Sequence, residues 1–220
     1  MGVVKAEPKF RREAPEVRRE SLIEATLQCL REYGHDGVSV RRISAQAGVS
    51  VGLISHHFPG KASLVAAAYD ALATSLLKSI RQHAFDGDAD PRQRLHRFFV
   101  ASFAPDKIDP QLFQVWLVFW SMVAHSADMI RVHERTNSEY RAVVEGLLRE
   151  LHDVADIPDF DLRLAAVGLS ALLDGFWIES SLRTKAFDAN EAIAICDDWV
   201  AALCAGSFTR LRRGSGTAGG

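Results

Sequence analysis

The chain has 220 residues, 48% of them hydrophobic, which leaves room for one large domain or for a small head on a larger body. Its net charge of −2 is unevenly divided: residues 1–61 hold ten Lys/Arg against seven Asp/Glu, and the remainder holds 16 against 21. A basic head on an acidic body suits a protein that presents one end to a polyanion, although chance fluctuation also produces such a split.

No apolar run approaches the roughly 18 residues that a membrane-spanning helix needs. Cys29, Cys196 and Cys204 are odd in number, widely spaced and form no CxxC pair, as expected of idle thiols in a reduced compartment. With a charged N-terminus that lacks the apolar core of a signal peptide, this predicts a cytoplasmic protein without a membrane partner.

Residues 1–15, with Pro8 and Pro15, read as a flexible basic arm. Lys5, Lys9, Arg11, Arg12, Arg18 and Arg19 are placed either to reach phosphates or a minor groove or to form a solvated charge run broken by Glu7, Glu13, Glu16 and Glu20. From residue 16 the pattern turns helical, with Leu22, Ile23, Leu27 and Leu30 at three- and four-residue steps and Gly34 as a stop. A short helix is predicted over 40–47, capped by Ser39, and a second over 51–57, ending before Pro59-Gly60.

Between them Gly48 supplies a left-handed turn, Val49 fills the space between the helices, and Ser50 caps the second helix. Ile43, Val49, Ile54 and Phe58 are the expected shared core with Leu27 and Leu30. Arg41, Arg42, Gln46, Ser50, Val51, Leu53, Ser55, His56 and His57 are then left to face outward, the arrangement of a helix-turn-helix whose second helix enters a major groove. The set is poor in Arg and Asn, so base readout falls to His56, Ser55 and apolar contact with thymine methyls. Lys61, at the start of the next helix, is a candidate for a backbone phosphate.

Beyond it the periodicity predicts a long helix from residue 62, with Leu64, Ala68, Leu72, Leu76 and Ile80 stepping by four. A loop over 86–91 and a helix around Leu95, Phe98, Phe99 and Phe103 follow, with a break over 105–110. Helices are expected over 112–123, 127–151, 160–183 and 189–207, and a Gly/Ser-rich disordered tail over 208–220. The fold class is all-α with about nine helices: a helix-turn-helix unit over 16–61 and a larger helical body over 62–207.

Two segments of the body carry chemistry. QLFQVWLVFWSMV places Phe113, Trp116 and Trp120 near one face with Phe119 displaced, either a core stripe or a cage for a cation whose charge is spread over methyl groups. Asp174, beside Trp177 in the apolar run 165–178, is costly unless it meets a cation or donors. It is either a counter-ion or a hydrogen-bonded residue at a dimer seam. The stripes Leu164, Val167, Ala171, Ile178, Leu182 and Ile193, Cys196, Val200, Leu203 are assigned to that seam, with Gly168 and Gly175 permitting close approach. A two-fold dimer would set two recognition helices about 34 Å apart on a near-palindromic operator.

Several other patterns fail. Asp86, Asp88 and Asp90 resemble the start of a calcium loop, but Pro91 and Arg97 stand where it needs Gly and Glu. Gly60-Lys61 lacks the rest of a phosphate loop, His125 and His133 are too far apart for one helical metal face, and no HExxH or recognisable catalytic triad occurs. No cofactor, metal or catalytic residue is assigned.

The residues Ala47, Gly48, Val49, Ser50, Gly52, Ile54, His57, Phe58, Gly60 and Lys61 resemble the DNA-binding signature of the TetR family of repressors, with Ser55 and His56 where tyrosines are common. The resemblance implies a homodimer whose residues 62–207 form a ligand-binding and dimerisation domain, and which binds a double-stranded DNA operator and leaves it when a small-molecule inducer enters the body. Ile54-Ser55-His56 together with the Asp-Gly-Phe-Trp stretch at 174–177 resembles the subgroup governing glycine betaine synthesis, which answers to choline. The aromatic and acidic residues above are consistent with such a ligand; the candidate ligand set is Phe113, Trp116, Phe119, Trp120, Asp174 and Trp177, and the candidate DNA set is Arg41, Arg42, Ser50, Val51, Gly52, Leu53, Ser55, His56, His57 and Lys61. The alternatives are a repressor of efflux or catabolic genes induced by a neutral hydrophobic ligand, a helical enzyme, and a helical adaptor.

Overall fold

The computed structural model describes residues 15–154, 157–182, 186–208 and 211. Among them the chain forms nine α-helices: α1 (Pro15–Gly37), α2 (Val40–Gln46), α3 (Val51–His57), α4 (Lys61–Ala84), α5 (Pro91–Ser102), α6 (Pro110–Val123), α7 (Ala127–Val154), α8 (Leu162–Ser181) and α9 (Ala189–Cys204). The predicted basic arm up to residue 14 and most of the predicted tail lie outside the described residues. The chain divides into two compact units between Ala68 and Tyr69.

Local chemistry accounts for the first unit. The Ser39 hydroxyl accepts the Arg42 amide at 3.2 Å and opens α2. Gly48 takes φ +64 in the turn to α3, a conformation that costs a residue with a Cβ about 1–2 kcal/mol. Ser50 stands at the N-cap position of α3 but its side chain makes no capping hydrogen bond, contrary to the sequence expectation; its exposed hydroxyl is left to solvent. Gly34 breaks α1 as the sequence predicts: it takes the non-helical φ +63, ψ −163, and a further helical turn runs on from it to Gly37. Ile43, Ile54, Phe58, Leu27 and Leu30 are buried together as expected, whereas Val49 is only half-buried.

In the second unit α7 and α8 form the central pair, with α5, α6 and α9 packed on them. Phe98, Phe99, Leu147, Leu148, Leu169 and Cys196 are buried in its core. Asp90 and Asp109 cap α5 and α6 ahead of a proline in the first turn, and Asp188 with Glu191 forms a reciprocal capping box on α9.

The α9 stripe assigned to a dimer seam faces inward instead. Cys196, Val200 and Leu203 are buried and Ile193 is packed on the same core. The α8 stripe is exposed as expected, with Leu164, Val167, Ile178 and Leu182 open to solvent. Gly168 brings α8 against α9 of its own chain, since a Cβ there would stand 3.3 Å from Trp199 Cζ2.

Gly48→Ala is expected to lower the unfolding free energy by about 1–2 kcal/mol through the backbone alone, because no atom lies within 4 Å of the added Cβ. Urea denaturation followed by circular dichroism measures it; an unchanged midpoint would show that the turn relaxes.

Candidate DNA-reading helix and aromatic cavity

Within the first unit, α2 and α3 leave a continuous polar surface open. Arg41, Arg42, Ser50, Val51, Gly52, Ser55 and His56 are exposed, and Leu53 and His57 are half-buried. The Arg42 guanidinium stacks over the Tyr33 ring, 4.1 Å from its centroid, which holds its planar fork in place. His56 and His57 lie edge to face at 5.2 Å. Lys61 has a role the sequence did not disclose: its Nζ donates to the Val38 carbonyl at 2.9 Å, closing the α1–α2 link onto the start of α4. An ammonium has three donors, so two remain for solvent or a phosphate.

The second unit encloses a cavity of about 410 Å³ between α4, α6, α7 and α8. From α6 come Trp116, Trp120 and Val123, and from α8 come Leu173, Asp174, Trp177 and Ile178. α4 supplies Tyr69, Ala73, Leu76, Leu77 and Ile80, and α7 supplies His133, Thr136, Asn137 and Tyr140. The rings form a continuous wall. Trp116 lies 6.3 Å from Trp120, 6.2 Å from Trp177 and 5.6 Å from Tyr69, centroid to centroid.

Four of the six residues in the expected ligand set therefore line the cavity, and Phe113 and Phe119 do not. They stand behind it: Phe113 meets the edge of Trp177 at 5.6 Å, and Phe119 stacks on Tyr69 at 4.9 Å. Both are buried and fix the front rings in place. Sequence reasoning missed Tyr69, His133, Thr136, Asn137 and Tyr140. On α7 the last four recur at three- and four-residue steps, a pattern that a solvent-facing polar stripe shares.

The electrostatics of the cavity are set by one carboxylate. Asp174 counts as accessible because it faces an open cavity, yet the surrounding rings remove much of its water, and this burial raises its pKa to about 6 against a weaker lowering by Arg141. Among the described residues that line the cavity, none is a lysine or arginine. The His133 Nδ1 and the Tyr69 hydroxyl share a hydrogen bond of 2.8 Å. Burial and then Arg141 lower the His133 pKa, so its imidazole is neutral at pH 7. Burial raises the Tyr69 phenol, opposed by hydrogen bonds with Thr136 and Trp120, and raises Tyr140 well above its usual value. At neutral pH the cavity thus carries one negative charge inside an aromatic wall. Trp116 Nε1, buried in that wall, has no hydrogen-bond partner among the described residues.

No helix among the described residues is long and apolar enough to cross a membrane, and no group of three or more His, Cys, Asp or Glu among them is placed to hold a metal. A helix-turn-helix unit followed by a helical unit with a ligand-sized cavity is the plan of a one-component transcription regulator. Residues 22–68 match the family described as bacterial regulatory proteins, tetR family, and residues 91–205 match the BetI-type transcriptional repressor, C-terminal domain.

The HTH-type transcriptional regulator BetI of Serratia proteamaculans (strain 568) is 34% identical over 84% of this chain and 91% of that protein. A transcriptional regulator from Pseudomonas aeruginosa PAO1 of known crystal structure is 46% identical, with a TM-score of 0.84, over 93% of this chain and 98% of that one. A regulator from Saccharomonospora viridis, solved in complex with choline, shares the fold at a TM-score of 0.74 and 19% identity over 84% of this chain and 96% of that one. The chain belongs to the TetR family of transcriptional repressors and carries a BetI-type C-terminal domain. It is a DNA-binding regulator rather than an enzyme.

Asp174→Asn is expected to stabilise the ligand-free protein at pH 7.5 and not at pH 4.5. A carboxyl whose folded pKa lies at about 6 stabilises the fold below its unfolded value and loses that contribution as pH rises through 6. Discounted for its exposure, the effect is a rise in Tm of about 1–3 °C at pH 7.5, read by thermal melts across pH. A fall at pH 7.5 would mean that the carboxylate has a stabilising partner.

Proposed function

We propose that this repressor binds its operator as a homodimer through α3 and is released when a quaternary ammonium ligand of the choline kind enters the aromatic cavity. The observation that carries the reading is Asp174 set among Trp116, Trp120 and Trp177 with no cationic residue in the lining. A trimethylammonium group spreads its charge over methyls that rings can cover, each cation–π contact adding about 0.5–2 kcal/mol, and Asp174 offsets the charge. The choline-bound neighbour supports the same reading at the level of the fold. A neutral hydrophobic inducer would leave the carboxylate desolvated and unpaired.

For DNA, exposure of Ser50, Val51, Ser55 and His56 leaves α3 free to enter a major groove, and Arg41, Arg42 and Lys61 are the candidates for phosphates. For the dimer, the exposed stripe Leu164, Val167, Ala171, Ile178 and Leu182 on α8, with Ile195 on α9, is an apolar surface of the kind that a subunit interface covers. α4 carries both Lys61 and the cavity wall from Tyr69 to Ile80, so a ligand that shifts α4 alters the population of the DNA-binding state in proportion to its differential affinity.

Choline affinity of the wild type is expected to rise about tenfold between pH 5 and pH 7.5 as Asp174 ionises, with Arg141 charged throughout and the His133 pKa held below its usual value by burial, so that any proton it carries at the acid end is lost in the same direction. Asp174→Asn should be weaker and flat with pH, and Trp120→Ala weaker by roughly 2- to 30-fold. Calorimetry and release from operator DNA in a gel shift give the readout. A wild-type affinity independent of pH would remove Asp174 from the site.

His56→Ala is expected to weaken operator binding by about 1–3 kcal/mol and to relax base preference, whereas Lys61→Ala should weaken every sequence alike and flatten the salt dependence. Binding-site selection separates the two. Val167→Glu should yield monomers by light scattering and abolish operator binding. A dimer that survives the charge would place the seam elsewhere.

A further inference from the structure

The cavity is longer than its cationic end requires. Along α4 its lining runs from Tyr69 to Ile80, which at about 1.5 Å per residue is roughly 16 Å. The lining is not uniform along that length. Around Tyr69 lie the rings of Trp116 and His133, with Asp174 close enough to raise the phenol's pKa by charge. Further along α4 Leu76, Leu77 and Ile80 add aliphatic carbon to the lining, with Tyr140 of α7 packed against the same cluster. A volume of about 410 Å³ falls in the range of about 300–1,000 Å³ that encloses drug-sized ligands. A trimethylammonium head with a two-carbon arm fills only part of that volume and leaves Leu76, Leu77 and Ile80 to water, which such walls disfavour.

We infer that the inducer is an amphiphilic monocation: a trimethylammonium head held by the rings and Asp174, carrying an unbranched acyl or alkyl tail that lies along α4 over Leu76, Leu77 and Ile80. This deepens the proposed function and rests on it for the head. The tail is a separate claim, because it depends on Leu76, Leu77 and Ile80 rather than on the rings or Asp174. The charge count limits the head to one: Asp174 is the sole carboxylate among the lining residues, and His133 is neutral at working pH.

The test is a chain-length series titrated into the full-length protein below micellar concentrations, followed by calorimetry and by release from operator DNA. The probes are tetramethylammonium, choline, and butyl-, hexyl- and octyltrimethylammonium, with 1-octanol as the uncharged comparator. Affinity is expected to rise about fourfold per added methylene until the slot is filled. Octanol should bind far more weakly than octyltrimethylammonium, and Leu76→Gln should flatten the series. If choline binds as tightly as the octyl cation, the tail is refuted and the proposed function stands. If octanol matches the octyl cation, the head assignment is refuted with it. If no cation in the series binds, both readings fall together.

Discussion

The second unit is organised around a carboxylate that its own surroundings disfavour. Asp174 interrupts an otherwise apolar face of α8 and stands among aromatic walls that raise its pKa to about 6. A fold selected for stability alone would place a leucine or methionine there. Retaining a charge at a desolvated position costs folding free energy, and such costs cluster where a ligand repays them. The geometry agrees. α8 brings Asp174 and Trp177 to the cavity together, α6 brings Trp116 and Trp120, and no lining cation neutralises the carboxylate. Charge and rings are therefore arranged before any ligand arrives, which reduces the reorganisation that binding must overcome.

That arrangement is held from behind. Phe119 stacks on Tyr69, and Phe113 meets Trp177 edge to face, so rings that line the cavity are wedged by rings that do not. The density of aromatics on α6 thus serves two layers at once: a rigid inner layer in the core and an outer layer facing the cavity. Tyr69 is further tied to His133, which links α4 to α7 across the cavity wall. A ligand that pushes on Trp116 or Tyr69 meets packed side chains rather than loose ones, and packed contacts transmit displacement because they have few intermediate states.

The head was legible in the sequence because its determinants are local. Ser39 caps three residues ahead, Gly48 is needed where the chain turns left-handed, and Ile43 and Ile54 are each the buried apolar residue of a seven-residue helix, so each signal lies within a few residues of its effect. Ser50 shows the limit of that reasoning, since position in the chain fixed its place at the N-cap but not the direction of its hydroxyl. The cavity was legible only in part. Trp116, Trp120, Asp174 and Trp177 stood out as residues unusual for their helices. His133, Thr136, Asn137 and Tyr140 did not, because a polar stripe at helical spacing reads the same whether it faces water or an enclosed space. The α9 stripe failed for the mirror reason: Cys196, Val200 and Leu203 announce burial, and periodicity cannot say whether the cover is the same chain or a second one.

The exposed stripe on α8 bears on how the two proposed functions of that helix coexist. Ile178 lines the cavity and is also open to solvent, while Val167 and Leu182 lie on the same open side of the helix. If a second subunit covers that stripe, one helix turn presents Asp174 and Trp177 to the ligand and their neighbours to the partner. Ligand affinity and subunit packing then share residues one step apart, and any rotation of α8 that improves one must change the other. Linkage makes such a coupling reciprocal: a ligand that favours one packing of the dimer is itself bound more tightly by that packing, and operator DNA that favours the other weakens it by the same factor. If the ligand is the proposed cation, the desolvation of Asp174 supplies a gradient for this exchange, because the packing that brings a cation to the carboxylate relieves a cost that the ligand-free protein carries.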